Sequence, residues 1–289
     1  VSDLTVIRSG ALTLVQDLGR PGLAHLGVGA SGTMDRGALT LANRLVGNPP
    51  DAAGLEILLG GAELRAGGDA WIAVTGARGS VAIGGQEVSP NVATLLEAGR
   101  AISFGPAEHG IRYYLSVRGG IDVAPVLGSR SRDTLAHLGP APIADGDSLP
   151  IGSAPGDPVP VIDTVPVDVP TDGTVTLEVR PGPRRDWLAA DAWERLFASE
   201  WRVSARSDRS GIRIDGPELS RVVTRELPSE GMTPGAIQVS PDGAPTILAV
   251  DHPVTGGYPV IAVVTDDSLD LLAQLRPGQG IRFRLATGR

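Results

Sequence analysis

A chain of 289 residues with formal charge -8 and a pI near 5.0 is long enough to bury one large core or two smaller ones. Its acidity argues against nucleic-acid binding, and the absence of cysteine excludes disulfides, thiolate metal sites and a thiol nucleophile. All 25 basic residues are arginine, which removes a phosphate-loop lysine, a Schiff-base lysine and a biotin-carrying lysine from the possible chemistry. No apolar run has bilayer-spanning length and no basic-then-apolar leader opens the chain, so the expectation is a cytoplasmic protein without a membrane partner.

Along the chain, most apolar segments are short and alternate. Residues 70–76, 79–85, 111–120, 174–182 and 280–286 have the period of strands with one buried face, and glycine and proline punctuate them. Three segments have helical spacing instead: 34–49, with Leu39, Ala42, Leu45 and Val46 on one face; 185–200, with Leu188, Trp193, Leu196 and Phe197; and 266–278, stopped by Pro277 and Gly278. Residues 154–173 are rich in Pro, Asp and Val. They read as a connector between β-rich subdomains at 1–153 and 174–289, or alternatively as holding an edge strand over 161–169.

Three polar clusters interrupt this pattern. The first is the loop "VQDLGRPGLAHLGVGASGTMD" (15–35), carrying Gln16, Asp17, Arg20, His25 and Asp35 among small residues. An ordered loop of this length is usually functional. Residue by residue, an Asp17–Arg20 salt bridge and an Asp35 helix cap are the plainer readings. The second, "SARSDRSGIRIDG" (204–216), places Arg206, Asp208, Arg209 and Arg213 around a turn, as an anion clamp or as a solvated hairpin. The third, 227–264, brings Glu230, Gln238, Asp251, His252, Thr255 and Tyr258 into an apolar β region, either as a site or as a hairpin turn. HExxH, GxSxG and GxxxxGK[ST] motifs are absent, and the four histidines are dispersed, so the expectation is no metal.

The motifs "QDLGRPGLAHLGVGASGTMDRGALTLANRLVGN", "LEILLGGAEL", "LSVRGGIDVAPVLGSRSRDT", "GDSLPIG", "RSDRSGIRIDG", "SEGMTPGAIQV" and "DHPVTGGYPVIA" occur in the order found in the KipA/PxpC family, also called allophanate hydrolase subunit 2. The chain resembles that family almost end to end. The resemblance implies a mostly β fold, a cyclophilin-like β-barrel architecture in two subdomains with a few short helices. It also implies a KipI/PxpB-like partner (allophanate hydrolase subunit 1), a further LamB/YcsF-like subunit, and ATP-dependent opening of 5-oxoproline to glutamate, with ATP shared with the partner. Alternatives within it are allophanate hydrolase or urea carboxylase chemistry, with any biotin carried elsewhere, and a regulator that sequesters a KipI-like kinase inhibitor. Chemistry then nominates Asp17, Arg20, Glu230 and Asp251 as catalytic, and Gln16, Asp35, Arg209, Gln238, Thr255 and Tyr258 as substrate-binding. The chain departs from the family pattern at Arg132, at His252-Pro253 and at Val260, where Thr, Arg-Gln and Lys are usual.

Overall fold

The computed structural model describes residues 2–161, 165 and 167–287; residues 162–164 and 166, in the middle of the expected connector and its alternative edge strand, lie outside the described residues. The chain divides into two compact units, each discontinuous in sequence. Unit 1 comprises Val1–Arg20, Ser31–Asp133 and His137–Pro170, and unit 2 comprises Pro21–Ala30, Thr134–Ala136 and Thr171–Arg289. The loop at 15–35 is thus apportioned between both. No described helix is long and apolar enough to cross a membrane.

Unit 1 holds β1 (Asp3–Ser9), β2 (Leu12–Gln16), α1 (Arg36–Leu45), β3 (Gly54–Leu58), β4 (Ala62–Ala66), β5 (Ala70–Arg78), β6 (Val81–Ile83), β7 (Gln86–Glu87), β8 (Thr94–Leu96), β9 (Ala101–Phe104), β10 (His109–Val117) and β11 (Ser148–Pro150). Two sheets result, ordered β11-β1-β4-β9-β6-β7 and β2-β3-β10-β5-β8. Alternate residues of both sheets, among them Leu4, Leu55, Leu64, Ile102, Tyr113 and Leu115, meet in one apolar core. Strand β10 is buried on both faces because α1 covers the other side: Ala42, Leu45 and Val46 pack on Ala73 of β5, and the Thr75 hydroxyl donates to the Ala38 carbonyl at 2.7 Å. The alternation expected over 111–120 therefore hides a second buried layer, Arg112, Tyr114 and Ser116.

Helix α1 starts where Asp35 Oδ1 accepts the Ala38 amide at 2.8 Å, so the capping reading of Asp35 holds. It ends at Gly47, whose φ of +73° suits glycine and whose missing Cβ leaves room for Arg118, since a Cβ would lie 2.7 Å from Nη1. Arg118 then donates to the Val46 carbonyl at 2.7 Å, to Pro155 O at 2.8 Å and to Asp157 O, fastening the start of the connector.

Unit 2 holds β12 (Val175–Pro181), α2 (Ala192–Ala198), β13 (Trp201–Val203), β14 (Gly211–Asp215), β15 (Glu230–Gly231), β16 (Ala236–Val239), β17 (Pro245–Leu248), β18 (Thr255–Gly256), β19 (Val260–Val264), α3 (Asp266–Ala273) and β20 (Gly280–Leu285). Seven of these close into a barrel in the order β12-β19-β16-β17-β14-β13-β20. Parallel pairing of β12 with β20 completes the ring. The fold is mostly β with short helices, as expected. One helix is shorter than its spacing suggests. Residues 185–200 break into a 3₁₀ turn at Arg185–Trp187 and α2, because Leu188 is extended and bridges to Arg221.

Candidate functional site

In unit 1, strand β2 ends at Gln16 and delivers the next residues to the loop 126–133. Asp17 is held there by four donors. Its Oδ1 accepts from Gly19 N at 2.8 Å and from the Ser129 and Ser131 hydroxyls, each at 2.6 Å, while Oδ2 accepts from Arg130 N at 2.6 Å. A carboxylate so occupied organises the loop backbone, with three donors on Oδ1 and one on Oδ2. The expected Asp17–Arg20 salt bridge is not formed: Arg20 is 2 % exposed and donates to main-chain carbonyls instead, from Nε to Val126 O at 3.3 Å and from Nη2 to Ser131 O. Its charge meets those carbonyl dipoles, and Asp17 accepts from hydroxyls and main-chain amides instead.

Gln16 reaches the next carbonyl along, with Nε2 donating to Arg132 O at 2.9 Å. Three polar atoms in this cluster are buried with no partner among the described residues: Gln16 Oε1, Arg20 Nη1 and Arg132 Nε. Two are cationic donors and one is an amide acceptor, and native interiors rarely leave such atoms unmatched. An amide or lactam, with a carbonyl to accept and an N–H to donate, has the complementary set. Gly32 makes the packing possible: a Cβ there would lie 2.9 Å from Gly19 N. The rest of Arg132 is engaged locally, donating from Nη1 to His137 O at 3.1 Å and Gly139 O at 3.3 Å.

Beneath α1 lies a network that reading the sequence did not single out. Tyr114 and Glu56 are register partners on β10 and β3. The Tyr114 hydroxyl donates to Glu56 Oε2 at 3.0 Å and accepts from Asp35 N at 3.0 Å; Glu56 Oε2 also accepts from Met34 N at 2.9 Å. Arg112 Nε stands 3.6 Å from Glu56 Oε1, both side chains being buried. Burial, then the charges of Glu56 and Asp35, push the Tyr114 hydroxyl well above the usual phenol range, so it remains a proton donor.

In unit 2, Arg209 and Asp251 form a sealed pair, with side chains 4 % and 0 % exposed and Nε to Oδ2 at 2.9 Å. Asp251 Oδ2 also accepts the Thr134 amide at 2.9 Å and the Thr134 hydroxyl at 2.7 Å. The anion clamp expected over 204–216 does not assemble. Arg209 turns inward to Asp251, and Asp208 Oδ1 caps its own turn by accepting Ser210 N at 2.7 Å. Arg206 stays exposed, 3.9 Å from Asp215, and Arg213 donates to Arg206 O. His252 is buried with Nδ1 2.8 Å from Pro253 O, and His25 contacts Gly22 O at 3.1 Å.

Glu230, Gln238, Thr255 and Tyr258 share one corner of unit 2. β15 and β18 pair Glu230 with Gly256 and Gly231 with Thr255, and Gln238 Nε2 reaches Tyr258 O at 3.5 Å and Met232 Sδ at 3.1 Å. Arg184 grips Glu230 with both Nη2 and Nε, the latter at 3.1 Å from Oε2. That bonding holds the Glu230 carboxyl below the usual carboxylate range. Val260, where the family pattern has lysine, is buried in β19 against Ala236 and Leu248.

The α1 N-terminus is already capped by the Asp35 carboxylate, and Arg209 is committed to Asp251. Neither presents an open phosphate cradle.

A seven-strand barrel unit joined in sequence to a two-sheet unit is the architecture of carboxyltransferase domains. The family model described as "Carboxyltransferase domain, subdomain A and B" matches residues 26–285, and the chain belongs to that family. It is 37% identical to a 5-oxoprolinase subunit of Escherichia coli (strain K12), over 97% of this chain and 90% of that protein. The crystal structure of TTHA0988 superposes with a TM-score of 0.88 at 35% identity, covering 98% of this chain and 55% of that one. Urea amidolyase of K. lactis gives 0.92 at 31% identity, covering 99% of this chain and 19% of that one. The chain therefore spans about half of the first solved relative and a fifth of the second.

Proposed function

We propose that the chain is a subunit of an ATP-dependent 5-oxoprolinase-like complex that opens 5-oxoproline to glutamate. The observation that carries this reading is the end-to-end similarity to the Escherichia coli 5-oxoprolinase subunit, 37% over 97% of the chain. The unmatched Gln16 Oε1, Arg20 Nη1 and Arg132 Nε support it, because a lactam presents the complementary carbonyl and N–H. Arg20 and Arg132 polarise the lactam carbonyl and stabilise the oxyanion that forms on it, and Gln16 orients the ring nitrogen. Asp17 keeps the loop in place through its serines. In this reading a KipI-like partner, together with a LamB/YcsF-like subunit, binds ATP, and the complex is the active species.

The second reading is carboxyl transfer to urea, favoured by the likeness to urea amidolyase. Purified chain combined with both partner subunits is to be assayed for ATP hydrolysis with 5-oxoproline, urea or allophanate. Stimulation by 5-oxoproline alone is expected. No stimulation by 5-oxoproline would sink the proposal, and a complex that forms without turning over any of the three favours a regulatory, partner-sequestering role.

A further inference from the structure

A cleft of about 570 Å³ opens in unit 2 along residues 218–227 and Tyr258, within the size range of small-molecule sites. Two arginines line it, and both lean on one buried indole. The guanidinium carbon of Arg225 lies 5.3 Å and that of Arg221 6.0 Å from the centre of the Trp187 ring. Cation–π contact orients both groups. Arg221 spends Nη2 on Val223 O and Arg225 O, at 3.3 Å and 3.5 Å. Its Nε is buried without a partner among the described residues, and Nη1 is left to a ligand. The Arg225 side chain has no hydrogen bond or ion pair among the described residues.

The opposite charge is present but held apart. Glu218 and Glu226 line the same cleft; Glu218 Oε1 accepts the Ser220 hydroxyl at 3.1 Å, and among the described residues neither carboxylate pairs with Arg221 or Arg225. Two guanidiniums on one ring and two carboxylates lining the same cleft give it no net formal charge but both signs. A phosphate dianion would meet the glutamates' repulsion, and an uncharged ligand would leave the guanidiniums unmatched. A molecule carrying both charges satisfies both walls.

We infer that this cleft binds a zwitterionic α-amino acid. Its carboxylate takes the guanidiniums of Arg221 and Arg225, its ammonium faces Glu218 and Glu226, and its side chain lies along Tyr258, which is 46 % exposed. The inference does not depend on the ring-opening reading, since it rests on these side chains alone.

Calorimetric titration of the full chain with L-alanine, L-glutamate, N-acetyl-L-alanine and inorganic phosphate tests it. Both amino acids are expected to bind one per chain, with N-acetyl-L-alanine at least about tenfold weaker because it lacks the ammonium. Arg225→Ala, at an exposed position where folding is preserved and checked by thermal melting, is expected to weaken both amino acids about tenfold or more. Glu226→Gln is expected to weaken the amino acids and leave the N-acetyl compound unchanged. Absence of amino-acid binding at millimolar concentration overturns the inference. So does phosphate binding as tightly as the amino acids, or Arg225→Ala binding like the parent.

Discussion

Thr134 gives both its amide and its hydroxyl to one oxygen of Asp251, 117 residues away, and the same oxygen receives Arg209 Nε. A buried ion pair thereby becomes a fastening for a three-residue segment, Thr134–Ala136, that belongs to unit 2 while its neighbours belong to unit 1. Cutting such a pair on one side strands the other charge in a dry interior. Arg209→Ala is therefore expected to lose about 3–5 kcal/mol of unfolding free energy, read by urea denaturation. Thr134→Val, which keeps shape and removes one donor, is expected to lose about 1.5–3 kcal/mol.

The Tyr114 hydroxyl serves Glu56 and the Asp35 amide at once. Tyr114→Phe removes one buried hydrogen bond from each and is expected to cost about 1–3 kcal/mol. A pH dependence follows. The folded-state phenol is raised above its unfolded value, so its stabilisation is complete below about pH 10 and is lost as pH rises beyond that. Denaturation series between neutral and alkaline pH should show this loss in the parent and a smaller slope in Tyr114→Phe.

Arg184 holds Glu230 ionised, with hydrogen bonding the leading cause and Coulomb attraction a smaller one. The pair's contribution is present at neutral pH and disappears as pH falls through the lowered carboxyl value. Replacing Arg184 by Ala should return the Glu230 carboxyl to the ordinary glutamate range, as followed by side-chain carbon chemical shifts against pH. An unchanged titration would show that the two groups are not coupled in solution.

Arg20 offers a test of the lactam reading. Arg20→Lys keeps a buried charge but replaces a three-nitrogen fork by one ammonium, which can meet Ser131 O only by giving up the Nη1 position. In the reconstituted complex we expect kcat to fall about 10²-fold or more, with KM changed little and complex formation intact. A rise in KM at constant kcat would assign Arg20 to ground-state binding instead.

Arg118 ties three carbonyls, those of Val46, Pro155 and Asp157. Arg118→Ala is expected to speed proteolytic cleavage near residues 155–161 several-fold, with a stability loss of about 2 kcal/mol. Cleavage at the parent rate would mean that the connector is held by other contacts.

Local period made much of this fold legible. The spacing of Leu39, Ala42, Leu45 and Val46, with Asp35 before it and Gly47 after, defines α1 nearly to the residue, because caps and stop signals are short-range effects. The network under α1 was not legible in the same way. Tyr114 falls among apolar neighbours and reads as core, and its partner Glu56 is set by strand register 58 residues away. Ser129 and Ser131 look like turn residues until β2 brings Asp17 onto them. Arg209 misled in the opposite direction: in a Ser/Gly turn it reads as part of an anion clamp or of a solvated hairpin, and only Asp251, 42 positions on, explains its burial. In each case the missing information is a pairing across the fold.

The parallel pairing of β12 with β20 has a consequence for assembly. A closed ring of strands satisfies its own backbone donors and acceptors, so the barrel presents no ladder for another chain to extend. Apart from the two-residue strands β15 and β18, a protein that recognises unit 2 must do so through side chains and turns. The sheets of unit 1 are open, ending at β11 and β7 in one and at β2 and β8 in the other. Strand addition by a partner chain is therefore directed to those four edges and to the short β15 and β18.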